Sequence, residues 1–151
     1  MFKFGKSSRN NMEGIRNEVK KLANRVLGKS IHDFGIPRHG GFRTAETQKK
    51  LYDSRDGKGK RITKCDGVKK LSYHQSGNAL DIFTYHNHQV GGRRVACWKC
   101  TYIYEEIAEL FKNEFNLMKE EGLFLENEFL EWGGDWKWKD LPHFQIVKKE
   151  E

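Results

Sequence analysis

A chain of 151 residues suits one domain with its own core and is short for two. Lys and Arg outnumber Asp and Glu by 28 to 21, a formal net charge of +7, which speaks for polyanionic surroundings and leaves the fold open. No apolar run approaches the roughly 18 residues of a membrane span, and Lys3 and Gly5 interrupt the apolar start that a secretory leader needs, so neither membrane insertion nor leader-directed export is expected.

In chain order, Ile15, Val19, Leu22, Ala23 and Val26 recur at helical spacing and predict a first helix from about Met12 to Leu27, ending near Gly28. Ile31 to Ile36 reads as a strand stopped by Pro37 and the glycines after it, and Thr44 to Asp53 as a second helix. Ser54 to Lys70 is rich in Gly, Asp and Lys and reads as a mobile loop or lid. Asn78 to Phe83 predicts a strand, followed by a hairpin-like insertion through His86, His88 and Gly91-Gly92. Tyr104, Ala108, Phe111, Phe115 and Met118 mark the longest helix, and two closing strands are expected near Phe129 to Trp132 and His143 to Val147. This order is α+β: a small antiparallel sheet flanked by helices, in a single domain over residues 1–151, without internal repeats and expected as a monomer.

Two segments carry the chemistry, Ser72 to Asp81 and Asp140 to Phe144. They offer the imidazoles of His74 and His143, the carboxylate of Asp81, and a second carboxylate, Asp140, just before the later histidine. A hydrolytic Zn²⁺ site needs such a set, three nitrogen or oxygen ligands with a position left for water and a base nearby. Gly77 and Asn78 between His74 and Asp81 favour a turn that swings both side chains toward one point. His143 and Gln145 share one face of the closing strand. Leu141 precedes Pro142 and is biased to extended backbone, so Asp140 is expected from the loop that feeds that strand. Any one histidine is more often a surface or hydrogen-bonded residue than a ligand; the joint pattern favours a hydrolase.

The run Ser72-x-His74-x-x-Gly77-x-Ala79-x-Asp81, with Trp132-Gly133-Gly134-Asp135-Trp136 and Asp140-x-x-His143-Phe144, resembles the zinc peptidases of bacterial cell walls. That family includes D-alanyl-D-alanine carboxypeptidases and dipeptidases and the L-alanyl-D-glutamate endopeptidases found as phage endolysins, on a Hedgehog/DD-peptidase-like fold. Gly41-Phe42-Arg43-Thr44 with Gln48 is similar to its Arg-containing segment, and Phe2 to Ser8 to the start of several phage members. The resemblance implies that His74, Asp81 and His143 ligate Zn²⁺, that Asp140 is the general base, and that Arg43 shares the charge developing on the carbonyl oxygen. Ser72, Gln48 and Trp136 are its candidate substrate contacts. Ser72 reads equally as a turn residue, Gln48 as an orienter of Arg43, and the tryptophans Trp132, Trp136 and Trp138 as either cleft walls or sheet-edge packing.

The implied substrate is the peptidoglycan stem peptide. The basic cluster Lys58, Lys60, Arg61 and Lys64 suits anionic wall polymers or lipopolysaccharide, or is a solvated loop, and no nucleic-acid motif accompanies it. An enzyme of this type is expected to wait in the host cytoplasm until a pore-forming protein releases it. The odd set Cys65, Cys97 and Cys100 cannot pair completely within one chain, and Cys97-x-x-Cys100 reads by default as inert thiols, otherwise as half of a second zinc site or a redox pair. His86 and His88, alternate residues of a strand, support a rival reading as a noncatalytic zinc or wall-binding module. The phage-like start favours the endopeptidase, with the D-alanyl-D-alanine carboxypeptidase or dipeptidase as alternative.

Overall fold

The computed structural model describes residues 1–150, apart from the side chains of Asn87 and His88. The elements run α1 (Lys6–Asn11), α2 (Asn17–Lys29), β1 (Phe34–Gly35), α3 (Ala45–Asp53), β2 (Ala79–Asp81), β3 (Phe83–Val90), β4 (Arg93–Cys97), α4 (Thr101–Glu120), β5 (Glu128–Trp132) and β6 (His143–Lys148). The fold is α+β, as expected, but its strands form two antiparallel sheets, ordered β1-β3-β4 and β2-β6-β5. The predicted strand from Asn78 to Phe83 is split at buried Ile82, where the chain leaves one sheet for the other and the Ile82 N–H donates to Pro142 O at 3.0 Å.

The first helix begins later than its apolar spacing suggests, and α1 precedes it. Gly14 is the reason: its φ of +83° breaks the helix, and a Cβ there would stand 2.9 Å from the Phe42 Cβ. Met12 and Ile15 are buried ahead of α2, whose own stripe of Val19, Leu22, Ala23, Val26 and Leu27 faces the core. The strand expected from Ile31 shrinks to Phe34–Gly35, because the Ser30 hydroxyl closes a tight turn on the backbone of His32 and leaves Ile31 exposed. In α3 the Thr44 hydroxyl accepts from the Thr47 N–H at 3.1 Å, an N-cap that fixes where the helix starts.

The core lies between α2, α4 and the β2-β6-β5 sheet. Phe111 of α4 stacks on Phe144 of β6 with centroids 4.1 Å apart, and Phe34 joins it from β1. Each such side chain contributes about 1.5–3 kcal/mol by leaving water. One edge is held by charge: Arg16 grips the buried Glu128 through two hydrogen bonds, at 2.7 and 3.1 Å. The segment from Ser54 to Lys70 carries its own turns, in which Asp56 accepts from the N–H groups of Lys58 and Lys60, and Asp66 from those of Val68, Lys69 and Lys70. Among the described residues no helix is long and apolar enough to cross a membrane.

Candidate metal centre

His74 sits in a 3₁₀ turn, Tyr73–Ser76, that local chemistry specifies. The Ser72 hydroxyl accepts from the His74 N–H at 3.3 Å, and the Gln75 side chain accepts from the Ser72 N–H at 2.9 Å. Gly77 ends the turn at φ +76°, where a Cβ would meet Gly14 O at 2.9 Å, so only glycine fits. Asp81 closes β2 and His143 opens β6, directly opposite each other in the antiparallel register. Turn and sheet together bring ligand atoms of His74, Asp81 and His143 within 4.8 Å of one another.

The hydrogen bonds around the two imidazoles fix which nitrogens face inward. His74 Nδ1 lies 2.8 Å from Gly41 O, a pure acceptor, so Nδ1 carries the proton and the Nε2 lone pair points toward Asp81 Oδ1 at 3.4 Å. Gln145 donates its amide to the Glu131 carboxylate at 2.8 Å, which turns its carbonyl oxygen to His143 Nε2, also at 2.8 Å. His143 Nε2 is therefore the protonated nitrogen, and Nδ1 is left facing Asp81 Oδ1 at 2.9 Å. Two imidazole lone pairs and a carboxylate thus converge on one buried spot. That arrangement calls for a cation, supplied by protons or by a metal, and the donor set of two nitrogens and one oxygen suits Zn²⁺.

Electrostatics within the chain agree with that need. Burial opposes ionisation of Asp81, yet the flanking imidazoles of His74 and His143 outweigh it and hold the carboxyl well below its ordinary value. Burial also opposes the charged form of His143, but Asp81 overrides it and raises the imidazole. Asp140, on the loop before β6, shows the opposite sign: desolvation first and the Asp81 charge second push it up, against His143, His74 and Arg43. Its side of the loop remains open to solvent. The loop path depends on Gly133, where a Cβ would overlap the Asp140 carbonyl oxygen; in its place the Asp140 N–H donates to Gly133 O at 2.9 Å.

Arg43 reaches the centre from the segment before α3. Its guanidinium donates to Asp81 Oδ2 at 3.0 Å, to Gln48 Oε1 at 3.2 Å and to His39 O at 2.6 Å. Burial lowers its pKa against the raising influence of Asp81 and Asp140. Gln48 is fully buried, and its amide also donates to Thr63 and to Cys65 O. Its carbonyl oxygen is thereby held against Arg43, in line with the orienting role that was one of its two readings. Trp136 stands with its ring 5.2 Å from that of His143. Trp132 is core, donating to Leu141 O at 2.7 Å, and Trp138 is exposed near Lys64. Ser72 caps the His74 turn. The Gly41 carbonyl, Gln145, Glu131 and Gly133 are the contributors whose roles sequence reasoning missed.

A second group gathers His86, Cys97 and Cys100. The default of inert thiols is corrected: Cys97 and Cys100 form a disulfide, since the end of β4 and the start of α4 bring their Cα atoms to 5.8 Å, while Cys65 remains free. His86 approaches Cys100 Sγ to 3.8 Å. The side chain of His88, its expected companion, lies outside the described residues.

The sequence profile described as D-alanyl-D-alanine carboxypeptidase matches residues 66–146, a span that holds His74, Asp81, Asp140 and His143 and leaves out Arg43. Among solved structures, the chain is similar to the L-Ala D-Glu endopeptidase ChiX of Serratia marcescens, at 23% identity over 96% of this chain and 90% of that one, with a TM-score of 0.66. At that identity the likeness is one of fold. No curated protein matches the chain in sequence.

Proposed function

The chain belongs to the D-alanyl-D-alanine carboxypeptidase family of cell-wall peptidases, and from that premise we propose that it is a zinc-dependent peptidoglycan peptidase of the phage endolysin type, cutting the L-alanyl-D-glutamate bond of the stem peptide. One observation carries the reading: the lone pairs of His74 Nε2 and His143 Nδ1 and the Asp81 carboxylate converge with their outer nitrogens already bound. His74, Asp81 and His143 would hold the Zn²⁺. The chemistry the ion supplies when bound is Lewis acidity, lowering the pKa of a water toward about 7 and polarising an amide carbonyl.

The protein's own residues carry the rest. Asp140 accepts the proton of the attacking water and later passes it to the leaving amine. Desolvation and the Asp81 charge push its carboxyl up, and the positive charge of a bound ion would act against both. Arg43 spends three of the five guanidinium donors on His39, Gln48 and Asp81 and keeps two for the carbonyl oxygen as charge builds on it. Trp136 offers an indole face beside His143 for the peptide to lie against, and the Ser72 hydroxyl, two residues before His74, is a further substrate contact. Residues 1–151 act as one domain and as a monomer.

The family's own description favours a second reading, a D-alanyl-D-alanine carboxypeptidase with the same ligands and base. The choice of the endopeptidase rests on the phage-like segment from Phe2 to Ser8. Mass spectrometry of purified peptidoglycan after digestion by the zinc-loaded chain separates the two. Peptides beginning with D-glutamate, with L-alanine left on muramic acid, are expected, and chelation abolishes them. Free D-alanine alone selects the carboxypeptidase. New reducing sugar ends, or intact wall from every source, overturn the peptidase reading, since glycosidases need a pair of carboxylates flanking an acetal.

A further inference from the structure

The hairpin of β3 and β4 ends where α4 begins, and three ligand-type side chains meet there. Thr84 and Cys97 are direct partners across the hairpin, and His86 follows Thr84 by two residues on the same strand. The pairing is irregular between Tyr85 and Gln89. Cys100 arrives from the other side as the N-cap of α4, without a capping hydrogen bond from its side chain. Negative charge on its sulfur would sit at the positive end of a helix 20 residues long. One ligand atom from each residue lies within 4.8 Å of the others, and Cys100 Sγ to His86 Nδ1 measures 3.8 Å.

The 3.8 Å between Cys100 Sγ and His86 Nδ1 is a metal-site separation, whereas the two sulfurs, joined in the disulfide, must part to reach one. Zn–S bonds near 2.3 Å and Zn–N bonds near 2.0–2.1 Å in a tetrahedron place neighbouring ligand atoms about 3.5–3.8 Å apart, and Cys-x-x-Cys is a spacing zinc sites use. Cys97 is buried while Cys100 and His86 are half-buried, so an ion can enter and the sulfurs stay largely shielded. The thiolates also make this group softer than the centre at His74, Asp81 and His143, which contains no sulfur.

We propose that, in the reduced chain, Cys97, Cys100 and His86 form a second Zn²⁺ site that clamps the β3–β4 hairpin to the start of α4. Disulfide and metal are mutually exclusive states of the same two sulfurs. A small dithiol reductant breaks the Cys97–Cys100 bond by giving two electrons and two protons, and itself becomes a cyclic disulfide. Zn²⁺ then displaces the two thiol protons into solvent as two Zn–S bonds and one bond to His86 Nδ1 form. The fourth position goes to water or to a further side chain of the hairpin. The site is independent of the peptidase reading, because none of its residues belongs to the first centre.

Cobalt distinguishes the two centres, since only thiolate ligands give an intense near-ultraviolet charge-transfer band. The full chain, reduced under argon and loaded with Co²⁺, is expected to show that band. It should vanish in Cys97→Ser and Cys100→Ser, weaken in His86→Ala and persist in His74→Ala. Wild-type protein supplies a test that needs no variant: Zn²⁺ should slow alkylation of Cys97 and Cys100 by roughly tenfold or more, through mass action on the free thiols, and leave Cys65 unchanged. No charge-transfer band, a band indifferent to His86→Ala, or equal alkylation with and without Zn²⁺ would overturn the proposal. Failure of the chain to cut peptidoglycan would leave all these readings as they are.

Discussion

The two clusters of ligand-type side chains differ in what stands behind them. At His74, Asp81 and His143 every outward atom is engaged: Gly41 O holds one imidazole, the Gln145–Glu131 pair holds the other, and Arg43 holds the carboxylate. At His86, Cys97 and Cys100 the sulfurs engage each other, and the support is the backbone of a hairpin and the end of a helix. The first arrangement fixes tautomers and directions, which chemistry on a bound peptide requires. The second holds two elements together, which needs proximity more than orientation. In the proposed mechanism Asp140 serves the first as its base.

The largest effect that tests this contrast comes from Asp140→Asn. Turnover should fall by about 10²–10⁴, the usual scale of general acid–base catalysis, with zinc content and fold retained; near-normal turnover in the zinc-loaded variant would remove Asp140 from the mechanism. Its titration sharpens the point. In the metal-free chain the Asp140 carboxyl should titrate above the ordinary range, because desolvation and Asp81 both penalise its charge. Zn²⁺ brings positive charge, favours the ionised form and must move that titration down, so activity is lost as pH falls through the lowered value. Carbon NMR of the carboxyl, with Asp140→Asn to assign it, reads both; a titration unmoved by Zn²⁺ would detach Asp140 from the metal site.

Gln145→Leu should have the next largest effect. Without its carbonyl oxygen the His143 ring loses the partner that keeps Nε2 protonated and Nδ1 inward, and zinc affinity should fall about 10–100-fold, the range seen when such supporting groups are removed. Competition with a chromophoric chelator measures it, and unchanged affinity would mean that the ring is held by packing against Trp136 alone. The smallest effect on catalysis belongs to the hairpin. Cys97→Ser with Cys100→Ser should leave kcat/KM within about twofold, since neither residue belongs to the proposed hydrolytic site, while removal of so short a covalent loop costs about 2 kcal/mol or less of stability. A large loss of turnover in a folded double variant would tie the hairpin to the cleft and erase the division between the two clusters.

The sequence carries the first cluster because its members lie in two short segments whose residue types and spacing are unusual together. Arg43 lies outside both segments and was expected at the centre through the family resemblance; its guanidinium donates to Asp81 Oδ2. The supporting layer was hidden: Gln145 faces Glu131 only through the register of β5 and β6, and no local pattern states that register. The Gly41 carbonyl has no side-chain signature at all. In the fold, the stripes of α2 and α4 were readable from period alone, whereas the break at Gly14 follows from a long-range approach to Phe42. The division into two sheets turns on a single buried residue, Ile82, and an apolar run shows no such seam. The cysteines misled because a pair so close in sequence says little about which of several states its surroundings favour.

Diffraction collected on either side of the zinc absorption edge, from crystals grown with Zn²⁺, tests the account where it is most exposed. An anomalous peak bounded by His74 Nε2, Asp81 and His143 Nδ1, with Asp140 facing it, is the predicted result, and the reduced chain should add a weaker or equal peak at Cys97, Cys100 and His86. Zinc only at the hairpin, with the three residues of the first centre bound to one another and no metal among them, would contradict the assignment of that centre as the seat of hydrolysis.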